Sequence, residues 1–367
     1  MPKLDRPLQL SPIFKNKIWG RSDLAPLYPT SWKTRTGRTI PIHYPYPVPA
    51  KGELIGEAWL TDENSRILNG PASGMTLGEA GREFGPEICG AGVEDGRFPI
   101  LTKFLFTSDW LSIQVHPDDE FARRHDPGSP GKCEMWYVLD ANPDAAFLLG
   151  LKDGATSQDF AAAFDAGRCR SLLKEFHPEA GEAIFVPPGT VHALGPGLVL
   201  FEAEQNSDLT YRLDDFGRLG ADGKPRSLHR DKGLAVTRAS APALRDLPRV
   251  VFRTAYGRRR FVVASRYFAV EELSVERIAN FGPAKGKAVG LVVLEGEGRI
   301  ETADGWMGYR PGDTYIIPPA TPGYRLAPED DATQLLKFYV PDLDQDFRQP
   351  LLAQGLSAES IDSILFA

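Results

Sequence analysis

The chain has 367 residues, 42% hydrophobic and 25% charged, which is enough for two or three cores and ordinary for a globular protein. A formal charge of -7 excludes a general nucleic-acid binder, though not a local basic cleft for a small anion. Three cysteines without a CxxC pair exclude a disulfide scaffold and a thiolate zinc site, and no apolar run reaches membrane length or forms a signal core, so a cytoplasmic protein with no membrane partner is expected.

With 36 glycines and 31 prolines, short strands and turns are expected rather than long helices. Residues 54–60 read as a strand on which Ile55, Glu57 and Trp59 share a face, with Glu57 a carboxylate that has a local partner. Thr76 is placed to cap a short helix, with Glu79 closing a capping box and Leu77, Ala80 and Phe84 on the apolar side. Residues 99–116 give two apolar β runs, and Pro117-Asp118-Asp119 stops the second and caps another short helix. Residues 134–151 and 181–213 read as strands with tight turns, and residues 156–176 as a helical insert broken near Gly167. A polar linker covers residues 214–249. Strands are then expected at 267–273, 290–294, 298–302, 313–317 and 335–340, with a closing helix over 351–366.

The sequence repeats itself once. Gly181-Glu-Ala-Ile-Phe-Val-Pro-Pro-Gly-Thr-Val-His192 matches Gly312-Asp-Thr-Tyr-Ile-Ile-Pro-Pro-Ala-Thr-Pro-Gly323. Each copy has an entry turn, an apolar strand and a Pro-Pro stop, the corner of a double-sheet β-barrel. His192 of the first copy becomes Gly323 in the second, and no histidine follows His229. Two barrels of one kind are implied, with ligating chemistry in the first alone.

Gln114 and His116 stand two apart on a predicted strand, so they share a face. Glu134 opens the next strand, and His192 follows the Pro-Pro turn. Two imidazoles, a carboxylate and an amide oxygen suit a divalent ion such as Zn²⁺ with a position left open. His43, His125, His177 and His229 lie in loops or polar contexts and read as solvated surface.

The strings Gln114-Val-His116-Pro-Asp-Asp, Lys132-Cys-Glu134-Met-Trp-Tyr, Val186-Pro-Pro-Gly-Thr-Val-His192 and Asn206-Ser-Asp-Leu-Thr-Tyr-Arg212 resemble the type I mannose-6-phosphate isomerases of the cupin superfamily, in their short bacterial form. The resemblance implies a mainly β fold: two cupin-type double-stranded β-helix (jelly-roll) barrels with a few short helices. Residues 1–245 would form the metal-binding domain, and residues 246–367 a second without ligands. It implies one Zn²⁺ held by Gln114, His116, Glu134 and His192, a sugar phosphate as partner, and Arg212 beside the reacting sugar. Glu202 matches a family carboxylate near the metal and is a candidate base or orienting group; Glu204 shares its face. Lys103 and Lys132 are candidates for sugar hydroxyls or phosphate. The implied reaction moves a proton between C2 and C1 through a cis-enediol, joining mannose 6-phosphate and fructose 6-phosphate. Other readings are a cupin acting on a different sugar phosphate, an iron dioxygenase and a non-catalytic sugar-binding cupin. Departures from the family pattern are the long Ser31–Pro49 segment, Thr107-Ser-Asp109 and Cys133.

Overall fold

The computed structural model describes residues 3–366 except 26, 34–38, 51, 94, 221–222, 240–244, 246, 284–285 and 330–331. Its plan can be read from the alternation along one strand, Leu198–Gln205, every residue of which is buried. Leu198 and Leu200 face an inner core with Trp136, Phe147, Ile184 and Leu194. Phe201 and Ala203, on the opposite face, join a larger core with Val270, Val292, Leu336 and Phe338 from the C-terminal half. A strand covered on both sides has no polar face to show water, hence its near-continuous apolar run.

Two sheets enclose the inner core. One has the order Ala183–Val186, Glu134–Ala141, Leu198–Gln205, Ile100–Phe106, Ile55–Trp59, Ile13–Arg21. The other runs Leu173–Phe176, Phe147–Leu151, His192–Leu194, Ile113–Val115, Tyr211–Asp214. The C-terminal half repeats the arrangement: an eight-stranded sheet holding Thr314–Ile317, Val289–Glu295, Thr333–Tyr339 and Ala269–Val275, opposed to a four-stranded one. The larger sheets of the two barrels pack back to back, with Phe201 and Phe338 ring centroids 6.3 Å apart. Each such ring removed from water contributes roughly 1.5–3 kcal/mol. Gly290 makes room there, since a Cβ on it would lie 1.9 Å from Phe338. The fold is thus mainly β with short helices, as expected.

Both Pro-Pro turns end their strands, after Val186 and after Ile317. The Thr76–Glu79 capping box forms, and Asp118 caps the helix Asp119–His125. The expected insert over 156–176 is shorter as a helix: Ser157–Asp165, a 3-10 turn at Cys169–Leu172, then the strand Leu173–Phe176. Gly167 at φ 64° ends the helical stretch, and Leu173 pairs with Leu151. The expected closing helix is also broken, into Gln349–Ala353 and Ala358–Asp362 with a strand at Leu365–Phe366. Gly355 at φ 85° stops the first helix and Ser357 caps the second. Leu8–Leu10 pairs with Thr314–Ile317, so the N-terminal segment extends the C-terminal sheet.

Candidate metal centre

The alternation that buries Leu198 and Leu200 also turns Glu202 and Glu204 inward, toward one end of the first barrel. Lys103 stands opposite Glu202, and Glu134 opposite Glu204, on the neighbouring strands. His192 pairs with Gln114 across the smaller sheet. The turn that delivers His192 is tied to His116: Gly189, at φ 86°, donates its N–H to the His116 carbonyl at 2.9 Å.

His116, Glu134 and His192 come together, their ligating atoms within 4.8 Å of one another. Glu134 Oε1 lies 3.2 Å from His192 Nε2, and Oε2 lies 3.5 Å from His116 Nε2. Each imidazole is anchored through its other nitrogen, His116 Nδ1 to the Leu209 carbonyl and His192 Nδ1 to the Thr190 carbonyl, both at 2.9 Å. A carbonyl only accepts, so each Nδ1 carries the proton and each Nε2 presents a lone pair. Burial, then the neighbouring Lys132 and His192, hold His116 well below the usual histidine range; burial lowers His192 as well. His116 Nε2 has no hydrogen-bond partner despite its burial. An orphaned lone pair beside a buried carboxylate is costly unless something cationic occupies the space, and the donor set fits a divalent ion. The Gln114 amide reaches His192 Nε2 at 3.2 Å, and its Oε1 accepts from Ser112 Oγ at 3.3 Å.

Beside this group lies a charge lattice. Lys132 Nζ bridges Glu134 at 2.9 Å and Glu204 at 2.8 Å. Lys103 Nζ bridges Glu204 at 2.7 Å and Glu202 at 3.4 Å, and sits 4.7 Å over the Trp59 ring. Both lysines are buried. Burial works against their charge, but Glu134 and Glu204 hold Lys132, and Glu204 and Glu202 hold Lys103, above the usual lysine value. Burial would raise Glu134, yet Lys132 and His192 keep it lowered. Burial holds Glu204 well above the usual carboxylate range, against the pull of its two ammonium neighbours Lys103 and Lys132. Glu134, Glu202 and Glu204 also cluster closely enough for an ion, but the lysines already fill that role. Two ammonium groups face three carboxyl groups, so the lattice holds no surplus positive charge to repel a cation.

The lattice floors a cavity of about 250 Å³, whose lining includes Gln114, Lys103, Lys132, Glu202 and Arg212. Arg212 makes neither of the ion pairs its neighbours Asp208 and Asp214 offer among the contacts described. Its Nη1 donates to the Ser227 carbonyl at 3.1 Å, while its Nε is buried without a partner. His229, read as surface from the sequence, is half-buried, and its Nδ1 accepts the Arg212 backbone N–H at 2.9 Å. That contact spans seventeen residues and has no local signal. Lys17, Trp19, Glu57 and Arg226 also line the cavity. Glu57 has the local partners expected, Trp59 Nε1 at 2.7 Å and Lys17 Nζ at 3.2 Å. Arg226 is held by Asp215, one contact being 2.7 Å. Neither Arg226 nor Lys17 belongs to a string that sequence reading singles out as chemical.

Comparison with known proteins adds family evidence. The model of "Phosphomannose isomerase type I, catalytic domain" matches residues 8–134. The putative mannose-6-phosphate isomerase YvyI of Bacillus subtilis is 32% identical over 328 residues, 87% of this chain and 95% of the relative. Mannose-6-phosphate isomerase ManA of the same organism is 32% identical over 323 residues, 85% of this chain and 93% of the relative. A crystal structure of the mannose 6-phosphate isomerase from Bacillus subtilis superposes with a TM-score of 0.78 at 29% identity, covering 90% of this chain and 99% of the other.

Proposed function

Because the chain belongs to the type I phosphomannose isomerase family, and is therefore an aldose–ketose isomerase, we propose that it interconverts mannose 6-phosphate and fructose 6-phosphate at the His116–Glu134–His192 centre. Family membership sets aside the oxygenase and non-catalytic readings. The observation that carries the proposal is the pair of Nδ1-tethered imidazoles whose free nitrogens converge on one buried carboxylate. We take the ion to be Zn²⁺, held by those three groups and by Gln114, whose amide oxygen takes the place of its nitrogen after a half-turn of the side-chain end. When bound, the ion supplies Lewis acidity toward the sugar oxygens.

The chain's own residues do the rest. Glu202 takes the proton from C2 and returns it at C1 through a cis-enediol. Trp136 Nε1, 3.2 Å from Oε1, and Lys103, 3.4 Å from Oε2, keep that carboxylate aimed. Glu204, clamped between two lysines, positions them rather than moving protons. Lys103 and Lys132 donate to sugar hydroxyls and to the oxyanion that develops. Arg212, with its Nε unpartnered, adds positive charge where the enediolate forms, and Arg226 shares the rim with it for the phosphate dianion. Residues 1–245 are the catalytic domain in this reading, residues 246–367 the second, and the protein acts in the cytoplasm. Among the described residues no helix is long and apolar enough to cross a membrane.

A coupled assay on mannose 6-phosphate tests the proposal. Turnover lost to a chelator and restored by Zn²⁺ is expected. A folded, zinc-loaded chain inert toward mannose 6-phosphate would overturn it.

A further inference from the structure

Tyr211–Asp214 is the last strand of the first barrel's smaller sheet, paired with Ile113–Val115 on one side only. Arg212 therefore sits on an edge, where an outward N–H and C=O need partners. His229 supplies both in place of a further strand. Its backbone N–H donates to the Arg212 carbonyl at 2.8 Å, and its Nδ1 accepts the Arg212 N–H at 2.9 Å. Two residues earlier, the Ser227 carbonyl accepts Arg212 Nη1 at 3.1 Å. The segment 227–229 thus holds Arg212 at both ends, backbone and guanidinium. Arg212 lies opposite Gln114, so a shift of its backbone moves the guanidinium across the cavity that both residues line.

The imidazole is used on this contact and not on its own helix. His229 is the N-cap of Arg230–Val236, yet its side chain makes no capping bond. Its polarity is the reverse of that of the two rings at the metal centre. His116 and His192 donate from Nδ1 to a carbonyl; His229 accepts at Nδ1, so its ring proton stands on Nε2 and the ring is neutral. Protonation would put a hydrogen on Nδ1, facing the Arg212 N–H, and break the bond. The charged and titratable groups around the ring are Arg212 and Tyr211 on the strand, Arg230, Asp231 and Lys232 on its own helix, and Asp126 at the end of Asp119–His125. Asp126 is taken up by Lys232 at 2.6 Å and by Tyr211 Oη at 2.5 Å, and Arg230 by Asp165 at 2.7 Å. Burial, then Arg212 and Lys232, hold His229 below the usual histidine value, against Asp126.

We infer that His229 is a positioning residue: as a neutral imidazole it fixes the Arg212 backbone so that the guanidinium meets the developing enediolate. This rests on the role proposed above for Arg212 and adds the device that aims it. The test is the coupled assay of the zinc-loaded full chain on mannose 6-phosphate. His229→Leu, which fills the space without an acceptor, should lower kcat about five- to tenfold, with KM within about twofold and zinc content unchanged. His229→Asn, whose Oδ1 takes the place of Nδ1, should recover most of that loss. In an Arg212→Ala background, His229→Leu should cost nothing more, because its effect passes through that guanidinium. Asparagine does not titrate, so the ratio of kcat in His229→Asn to kcat in wild type should rise as pH falls from about 7 to about 5. That profile decides the matter should His229→Leu fail to fold. Wild-type kcat in His229→Leu, an equal loss with and without Arg212, or a flat ratio would overturn the positioning role alone. A wild-type chain inert toward mannose 6-phosphate would overturn the assigned reaction, and this inference with it.

Discussion

The two barrels share a strand plan and differ in what they leave unsatisfied. In the first, His116 Nε2 is buried without a partner, and two lysines face three carboxylates. In the second, Glu271 has every partner it can use, in Arg259, Tyr339 and Lys337. Burying a polar atom unpaired costs about 1–3 kcal/mol, so a site that does so repeatedly is built around something absent from the chain itself. The same ladder thus carries a ligand-demanding interior in one half and a nearly self-sufficient one in the other. The second half also covers the outer face of the larger sheet of the first barrel, and one of its hydroxyls reaches the helix that follows His116. Tyr267 Oη donates to Asp119 at 2.6 Å, and Asp119 accepts the N–H of Gly131, next to Lys132.

The sharpest way to break the comparison is to give the first barrel the residue of the second. His192→Gly removes a proposed ligand whose counterpart is Gly323; turnover should fall by about 10⁴ or more, with the ion lost and the fold retained. Circular dichroism alongside the coupled assay checks this, and retained activity would remove His192 from the centre. Arg212→Ala should lower kcat by roughly 10²–10³ while the ion stays bound, because it withdraws charge stabilisation alone. Loss of the ion in that variant would mean that Arg212 holds the site together instead.

A third prediction concerns the entry turn of the second barrel. Asp313 accepts from Tyr46 Oη at 2.9 Å and from the Arg310 N–H at 3.1 Å, and burial pushes its carboxyl up to about 6. The folded state then holds this proton more tightly than the unfolded chain. Its contribution to stability therefore falls as pH rises from about 4 to about 6, and the penalty is complete above that. Asp313→Asn carries no such titration. Relative to wild type it should gain about 2–3 kcal/mol between pH 4 and pH 7.5, read from urea midpoints. A difference independent of pH would show that the carboxyl titrates normally. The smallest effect is expected across the barrel interface. Tyr267→Phe should cost about 1 kcal/mol, seen as a several-fold fall in kcat/KM with the ion retained. A lowered Tm with unchanged kinetics would make the contact merely structural.

Much of this was legible because it is periodic or local. The shared face of Gln114 and His116, the two Pro-Pro stops and the caps at Thr76 and Asp118 follow from spacing and turn chemistry. The charge lattice was only half visible. Glu202 and Glu204 announce a common face, but which lysine each meets depends on the register against Ile100–Phe106 and Glu134–Ala141, which spacing does not encode. So Glu204, the more central of the two, looked the less important. His229 on the Arg212 backbone and Leu8–Leu10 on the far sheet are tertiary choices without a sequence signature. The closing segment misled because its apolar residues fit a helix while Gly355 interrupts it.

Crystals of the zinc-loaded chain, measured on both sides of the zinc absorption edge, test the central claim most directly. One anomalous peak per chain, within coordination distance of His116, Glu134 and His192 and with none in the second barrel, is the expected result. A chain without a peak there, or with its peak among Arg259, Lys337 and Glu271, would contradict it.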